Sequence, residues 1–177
     1  MGIKNKFLLI FLILIILGIS IVKSLDFNTK KQSINKNSTE NINAIIKKSN
    51  ISEKSIEAEE VIKNSFKYRN DHELDKLLEC YTDRHKYDNF WFENLEMIEV
   101  NNIELVTDES LYWVYINNVL INEANLDFEE LRIYKVEYCI EFKDDTIEPI
   151  NSGNNSRNFY LIKLKDSGKW LIQDVGD

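Results

Sequence analysis

The stretch "LRIYKVEYCIEF", Leu131–Phe142, leaves a chain of this kind few folds to choose from. Tyr134, Val136, Tyr138, Ile140 and Phe142 fall on one side of an extended backbone, and Lys135, Glu137, Cys139 and Glu141 on the other. Successive side chains of a strand point to opposite faces. The stretch therefore predicts a strand with one apolar and one wet face, the pattern of an antiparallel sheet. Asp144-Asp145 ends it, and "EPINSGNNSRN" reads as a loop.

The closing stretch "YLIKLKDSGKWLIQDVGD" predicts a hairpin. Two apolar runs flank Asp166-Ser167-Gly168, with Gly168 at the left-handed position of the turn. Trp170 and Ile172 are expected to share the core face with Tyr160 and Ile162, and the last strand is expected at the centre of the sheet. "IEVNNIELV" reads as an earlier strand. "LYWVYI" is a further strand or a helical insertion.

Helices come first. Ser52 is a good N-cap, Glu53 and Glu57 suit the positive first turns, and Ile51 and Ile56 stand at staple positions. Ala58, Val61, Ile62 and Phe66 then mark one face of a helix running to about Tyr68. Asn70 and Glu73 have capping-box spacing ahead of Leu74, Leu77, Leu78 and Tyr81. A shorter third helix is expected from Asp88 or Asn89, carrying Phe90, Trp91 and Leu95. The fold class is α+β, with N-terminal helices packed on a curved antiparallel sheet.

Ahead of the helices, Phe7–Val22 is an uncharged run of sixteen residues preceded by Lys4 and Lys6. As a helix it would span roughly 24 Å, short of a ~30 Å hydrocarbon core but serviceable with snorkelling lysines. Residues 1–24 therefore form a signal anchor or a signal peptide cut after Ser24. Lys23 weakens that cut, which favours the anchor. Residues 25–51, rich in Asn, Ser, Lys and Thr, suggest a disordered, flexible tether. Residues 52–177 are the folded, extracytoplasmic domain. The expected location is the cell membrane, single-pass with the C-terminal domain outside, or secreted if cleaved.

Net charge is −8, and the first 24 residues hold three lysines and no acid. The remainder is thus more acidic still and repelled by phosphate backbones, so nucleic acid is not an expected partner. Cys80 and Cys139 are too few for a disulfide scaffold and have no metal-ligand spacing. Two free thiols are the favoured reading. His72 opens a helix and His85 sits in a polar loop; neither has a partner at the spacing of helical metal ligands. Asp127, Asp144 and Asp145 lie in acidic stretches without the alternating ligands of a calcium loop. No metal and no cofactor is expected, and no nucleophile elbow or phosphate-binding loop is present.

Helices followed by a curved sheet and a long closing hairpin are the order of the nuclear transport factor two-like, or cystatin-like, superfamily. "HELDKLLECYT", "EELRIYKVEYCIEF" and above all "NFYLIKLKDSGKWLIQDVGD" carry a closer resemblance over residues 52–177. They resemble an exported domain-of-unknown-function family of low-GC Gram-positive bacteria. The resemblance implies a cone-like fold and an exported location, and it implies no activity.

In that superfamily the mouth of the cone often holds a small molecule, and some relatives are enzymes with an Asp or His base beside a Tyr. By that analogy the pocket-lining candidates are Tyr134, Tyr138, Tyr160, Trp170 and Asp174. Core tyrosines usually bury a ring and satisfy one hydroxyl, so packing is the favoured role for the three tyrosines. Asp174 is either a buried base or an acceptor for a neighbouring strand, and structure is favoured. The residues favour a non-catalytic module for a small ligand or an envelope protein. The alternative is an isomerase- or hydrolase-like enzyme with a polar pair in the cone. A third reading is a homodimer through the wet sheet face of Lys135, Glu137 and Glu141.

Overall fold

The computed structural model describes residues 43–49, 51–123 and 126–176. The apolar run Phe7–Val22 and the expected tether up to residue 42 lie outside the described residues, and no described helix is long and apolar enough to cross a membrane. Helix α1 covers 43–48, α2 Ile56–Asn70, α3 Leu74–Leu78 and α4 Glu109–Asn118. Strands β1 Leu95–Leu105, β2 Phe128–Phe142, β3 Gly153–Leu164 and β4 Trp170–Gly176 form one antiparallel sheet in the order β1-β2-β3-β4.

The alternation in β2 is realised. Tyr134, Val136, Tyr138, Ile140 and Phe142 are buried, while Lys135 and Glu141 are exposed. The buried side meets Ala58, Ile62 and Phe66 of α2, joined by Phe159, Leu161, Trp170 and Ile172. The other face of the sheet is only partly wet. Tyr112, Tyr115 and Ile116 of α4, with Leu120, cover Leu131, Ile133, Tyr160 and Ile162 in a second core. "LYWVYI" is therefore helical: Tyr112, Tyr115 and Ile116 fall at i, i+3, i+4 on one face, and Asp108 caps the first turn.

Several boundaries differ from the sequence expectation. The N-cap of α2 is Ser55 rather than Ser52, its side chain accepting from the Ala58 N–H. Asn70 does not cap α3. Its side-chain amide instead accepts from the Ile98 N–H at 2.8 Å and donates to the Ile98 carbonyl. The third helix expected from Asp88 or Asn89 does not form: residues 88–91 are irregular, 92–94 form a turn and Leu95 already belongs to β1, while Asp83–His85 just ahead form a single 3-10 turn. Residues 43–49, expected in the tether, are largely helical. Ile45, Ile46 and Ile51 pack on the second core, and the fully buried Ser49 accepts the Leu131 N–H at 2.9 Å. Three isoleucines were enough apolar surface to dock a segment whose overall composition is polar.

The last strand is an edge, not the centre of the sheet. That edge is covered where the Ile172 N–H donates to the Cys80 carbonyl and the Thr82 N–H to the Ile172 carbonyl. Asn70 does the same for β1 at the opposite edge. Each edge is thus interrupted at one residue, Ile172 in β4 and Ile98 in β1, which shortens the run on which strands of other copies could pair.

Candidate functional site

The five residues expected around one pocket are divided between the two faces of the sheet. Across the closing turn Trp170 pairs with Lys163, and Ile172 with Leu161. Paired residues share a face, so Trp170 and Ile172 join Leu161 and Phe159 rather than Tyr160 and Ile162. A one-residue change of register moves a whole strand to the other face. The register then shifts: Leu161 opposes Ile172 but Tyr160 opposes Asp174, leaving Gln173 as the extra residue. This bulge turns Asp174 onto the second face beside Tyr160. Tyr134, Tyr138 and Trp170 lie on the α2 side.

On the α2 side Trp170 lines a cleft of ≈ 380 Å³ with Val61, Tyr68 and Cys80, and the space between α2 and the middle of the sheet is filled. Phe66 meets Tyr138 edge to face with centroids 5.4 Å apart and lies 5.7 Å from Phe159. The Tyr134 hydroxyl accepts from the Ser55 N–H at 2.9 Å and donates to the Ser55 carbonyl at 3.3 Å, fastening the start of α2. Trp170 is 5% exposed, with the Arg132 guanidinium 5.7 Å and the Lys163 ammonium 6.0 Å from its ring. Arg132 was missed in the sequence. It is 5% exposed, ion-paired to Glu130 at 3.2 Å, and its Nε and Nη1 have no partner among the described residues.

On the second face Asp174 lies 3.6 Å from the Arg84 guanidinium, which also holds Glu123 at 3.2 Å. Tyr160 stacks on Tyr115 with centroids 4.0 Å apart. The buried Tyr115 hydroxyl has no partner among the described residues. Burial, and then the Asp174 charge, push it well above the usual phenol range, so at neutral pH it is a neutral donor. Asp174 itself is tied into the Arg84 pair.

The two histidines take different places. His85 is buried between Asp88 and Gln173, its ring nitrogens 2.6 Å from the Asp88 carboxylate and 3.0 Å from the Gln173 carbonyl. His72 is exposed, at φ 55°, with its ring edge-on to Phe92. Both cysteines are free thiols, and burial pushes Cys80 up to about 11. No three His, Cys, Asp or Glu side chains are grouped to hold a metal among the described residues.

What the structure does open is a cleft of ≈ 700 Å³ between the start of α3, the 88–94 turn and the loop at Ile147 and Glu148. Leu74, Phe90, Trp91, Phe92 and Ile147 give its apolar lining, and Asp88, Glu93 and Glu148 its acids. Three consecutive aromatics cannot share one helix face, and local side-chain bonds offer the backbone a turn instead. The Asn89 carboxamide oxygen accepts the Trp91 N–H at 2.8 Å, and the Trp91 carbonyl accepts from Asn94 and Leu95.

Trp91 adopts φ 58°, left-handed backbone that costs a bulky residue of order 1–3 kcal/mol. The surroundings hold it there. The Arg69 guanidinium lies 4.9 Å over the Trp91 ring, Phe142 meets that ring edge-on, and Arg69 Nε donates to the Phe90 carbonyl at 3.0 Å. Burial pulls the Arg69 guanidinium below its ordinary value, yet guanidinium remains charged in proteins. Phe90 and Phe92 are left half-buried along the cleft, their rings 6.2 Å apart.

No curated protein and no solved structure matches the chain. A family model does match, over residues 59–176, from the first turn of α2 to the end of β4 and thus both cores and the cleft. The chain belongs to the family described as Domain of unknown function (DUF4829).

Proposed function

We propose that the domain is a non-catalytic binding module, held outside the cell membrane by Phe7–Val22, with the aromatic cleft as its recognition surface. One observation carries this reading. The middle of the α2 side, where a cone-type enzyme would keep its pocket, is filled by Phe66, Tyr138 and Phe159 and leaves a cleft of ≈ 380 Å³ at its Trp170 end, while ≈ 700 Å³ stands open among half-buried aromatics. Strained backbone persists only where its surroundings over-determine it, and it clusters at binding sites. Of His72 and Trp91, the two non-glycine residues at positive φ among those described, Trp91 lines this cleft and His72 packs on the lining residue Phe92. On this reading the sheet and α2 are a closed member of the nuclear transport factor two-like architecture.

The rival reading, an isomerase- or hydrolase-like enzyme, draws its support from Tyr115, a buried neutral hydroxyl near Asp174. The Arg84 pair works against it, because it already engages the carboxylate that a base would have to present to a substrate.

The deciding experiment is a thermal-shift screen of the full chain against amines, carboxylates, sugars and short peptides, with product analysis of every stabilising compound. Stabilisation without conversion is the expected result. Turnover of any stabilising compound, lost in Asp174→Asn, would replace the module with the enzyme.

A further inference from the structure

We infer that the aromatic cleft takes an organic cation, a quaternary or alkyl ammonium group carried on a small molecule; this rests on the binding-module reading and names its ligand class. Phe90 and Phe92 present their rings along the cleft. Aromatic faces attract cations through the ring quadrupole, and more strongly where water is displaced. The charged residues lining the cleft are Asp88, Glu93 and Glu148, and no lysine or arginine lines it.

Two cations stand behind this lining, bonded to it and not part of it. Arg69 lies over the Trp91 ring with its Nε on the Phe90 carbonyl, and the Lys143 ammonium donates to the Glu93 carbonyl at 2.8 Å. Of the three acids, Asp88 is shared with His85, and Glu148 accepts from the Asn94 amide at 3.3 Å. The Glu93 carboxylate has no hydrogen-bond or ion-pair partner among the described residues, so one acid is left for a ligand. An anion would meet three carboxylates, and a neutral apolar molecule would leave them without a counter-charge. An ammonium with short alkyl arms satisfies both the rings and the rim. A cleft of ≈ 700 Å³ lies in the range of small-molecule sites.

The test compares two probes of one shape. Choline and its carbon isostere 3,3-dimethylbutanol are titrated into the full chain, with residue-resolved NMR at constant ionic strength. Butylammonium is a third arm that separates quaternary from primary ammonium. Choline or butylammonium should shift residues 88–94 and 147–148 saturably, at least tenfold more tightly than the neutral isostere. Glu93→Gln, an exposed side chain, should weaken the cation several-fold and leave the isostere unchanged; Phe92→Ala should weaken both. Equal binding of charged and neutral probes, or no saturable shift at these residues, overturns the assignment. If the screen above yields a ligand that maps to the cleft and carries no cation, this inference falls and the module reading stands; a ligand that maps to another surface overturns both. If nothing in either experiment binds anywhere, both fall.

Discussion

His85 Nε2 lies 3.0 Å from the carbonyl oxygen of Gln173, the bulged residue of β4. Its other nitrogen lies 2.6 Å from the Asp88 carboxylate. Both partners are acceptors, and the imidazole N–H is what the ring has to offer them. The histidine therefore ties the 3-10 turn to the very residue whose insertion sends Asp174 to the second face. Removing the ring leaves a buried carbonyl without its donor, a loss of about 2 kcal/mol. His85→Ala is expected to lower urea-unfolding stability by that amount, while exposed substitutions stay within about 0.5 kcal/mol. An effect no larger than that at His85 would remove it from the framework of the bulge.

The corner between α2 and α3 makes an opposite prediction. The Glu73 N–H donates to the Tyr68 carbonyl and the His72 N–H to the Arg69 carbonyl, the two bonds of a Schellman cap. His72 occupies the left-handed position that glycine usually fills. Relief of that strain, less the extra freedom of glycine when unfolded, should make His72→Gly more stable by roughly 0.5–1 kcal/mol. The same change removes the ring packed on Phe92, so stability should rise as the cleft loses a wall contact. A destabilised glycine variant would mean the Phe92 contact outweighs the backbone strain.

Tyr134 separates a structural from a ligand-binding role. Its hydroxyl bonds both backbone groups of Ser55 at the mouth of α2, and its ring is fully buried. Tyr134→Phe keeps the ring and deletes two hydrogen bonds, for an expected loss of about 1–2 kcal/mol. Cation titrations of the cleft should be unchanged. If the phenylalanine variant instead keeps its stability and loses ligand affinity, the residue belongs to a pocket after all.

The parts of this architecture that were legible in the sequence rest on long, unbroken periods. The alternation of Tyr134 to Phe142 specified β2 and its buried face, and Ala58, Ile62 and Phe66 specified the packed side of α2. Register was not legible. Nothing in "KLKDSGKW" says that Trp170 pairs with Lys163 rather than Ile162, and that single step decides which residues share a face with Tyr160. Nor does alternation reveal a bulge, since Gln173 is polar yet buried at 2% exposure. The cleft was missed because its walls come from three separate segments. Its one local signal, the triplet Phe90-Trp91-Phe92 between Asn89 and Glu93, is as consistent with a short helix as with a turn. Ser52 and Ser55 are equally good caps by type, and Tyr134, distant in sequence, selects between them.

Alkaline pH supplies the last test. Burial pushes Cys80 from 9.0 to about 11, and Tyr112 from 10.0 to about 12. The Tyr112 hydroxyl donates to the Val106 carbonyl and accepts from the Ile133 N–H, each at 3.0 Å, so its proton is part of the junction between β1 and β2. For both groups the folded state holds its proton more tightly than the unfolded chain. The slope of stability with pH is therefore negative through that window. The contribution is complete below the unfolded values, near 9 for the thiol and 10 for the phenol. It is lost as pH rises through the folded ones. Thermal midpoints should be flat with respect to these groups from pH 7 to 9 and fall between 9 and 12. Cys80→Ala should be less stable at pH 7 from the lost side-chain volume, yet decline less steeply between pH 9 and 11. Parallel declines in the two proteins across that interval would mean that the thiol gains its charge without leaving the core, and that Tyr112 and the other phenols carry the alkaline transition alone.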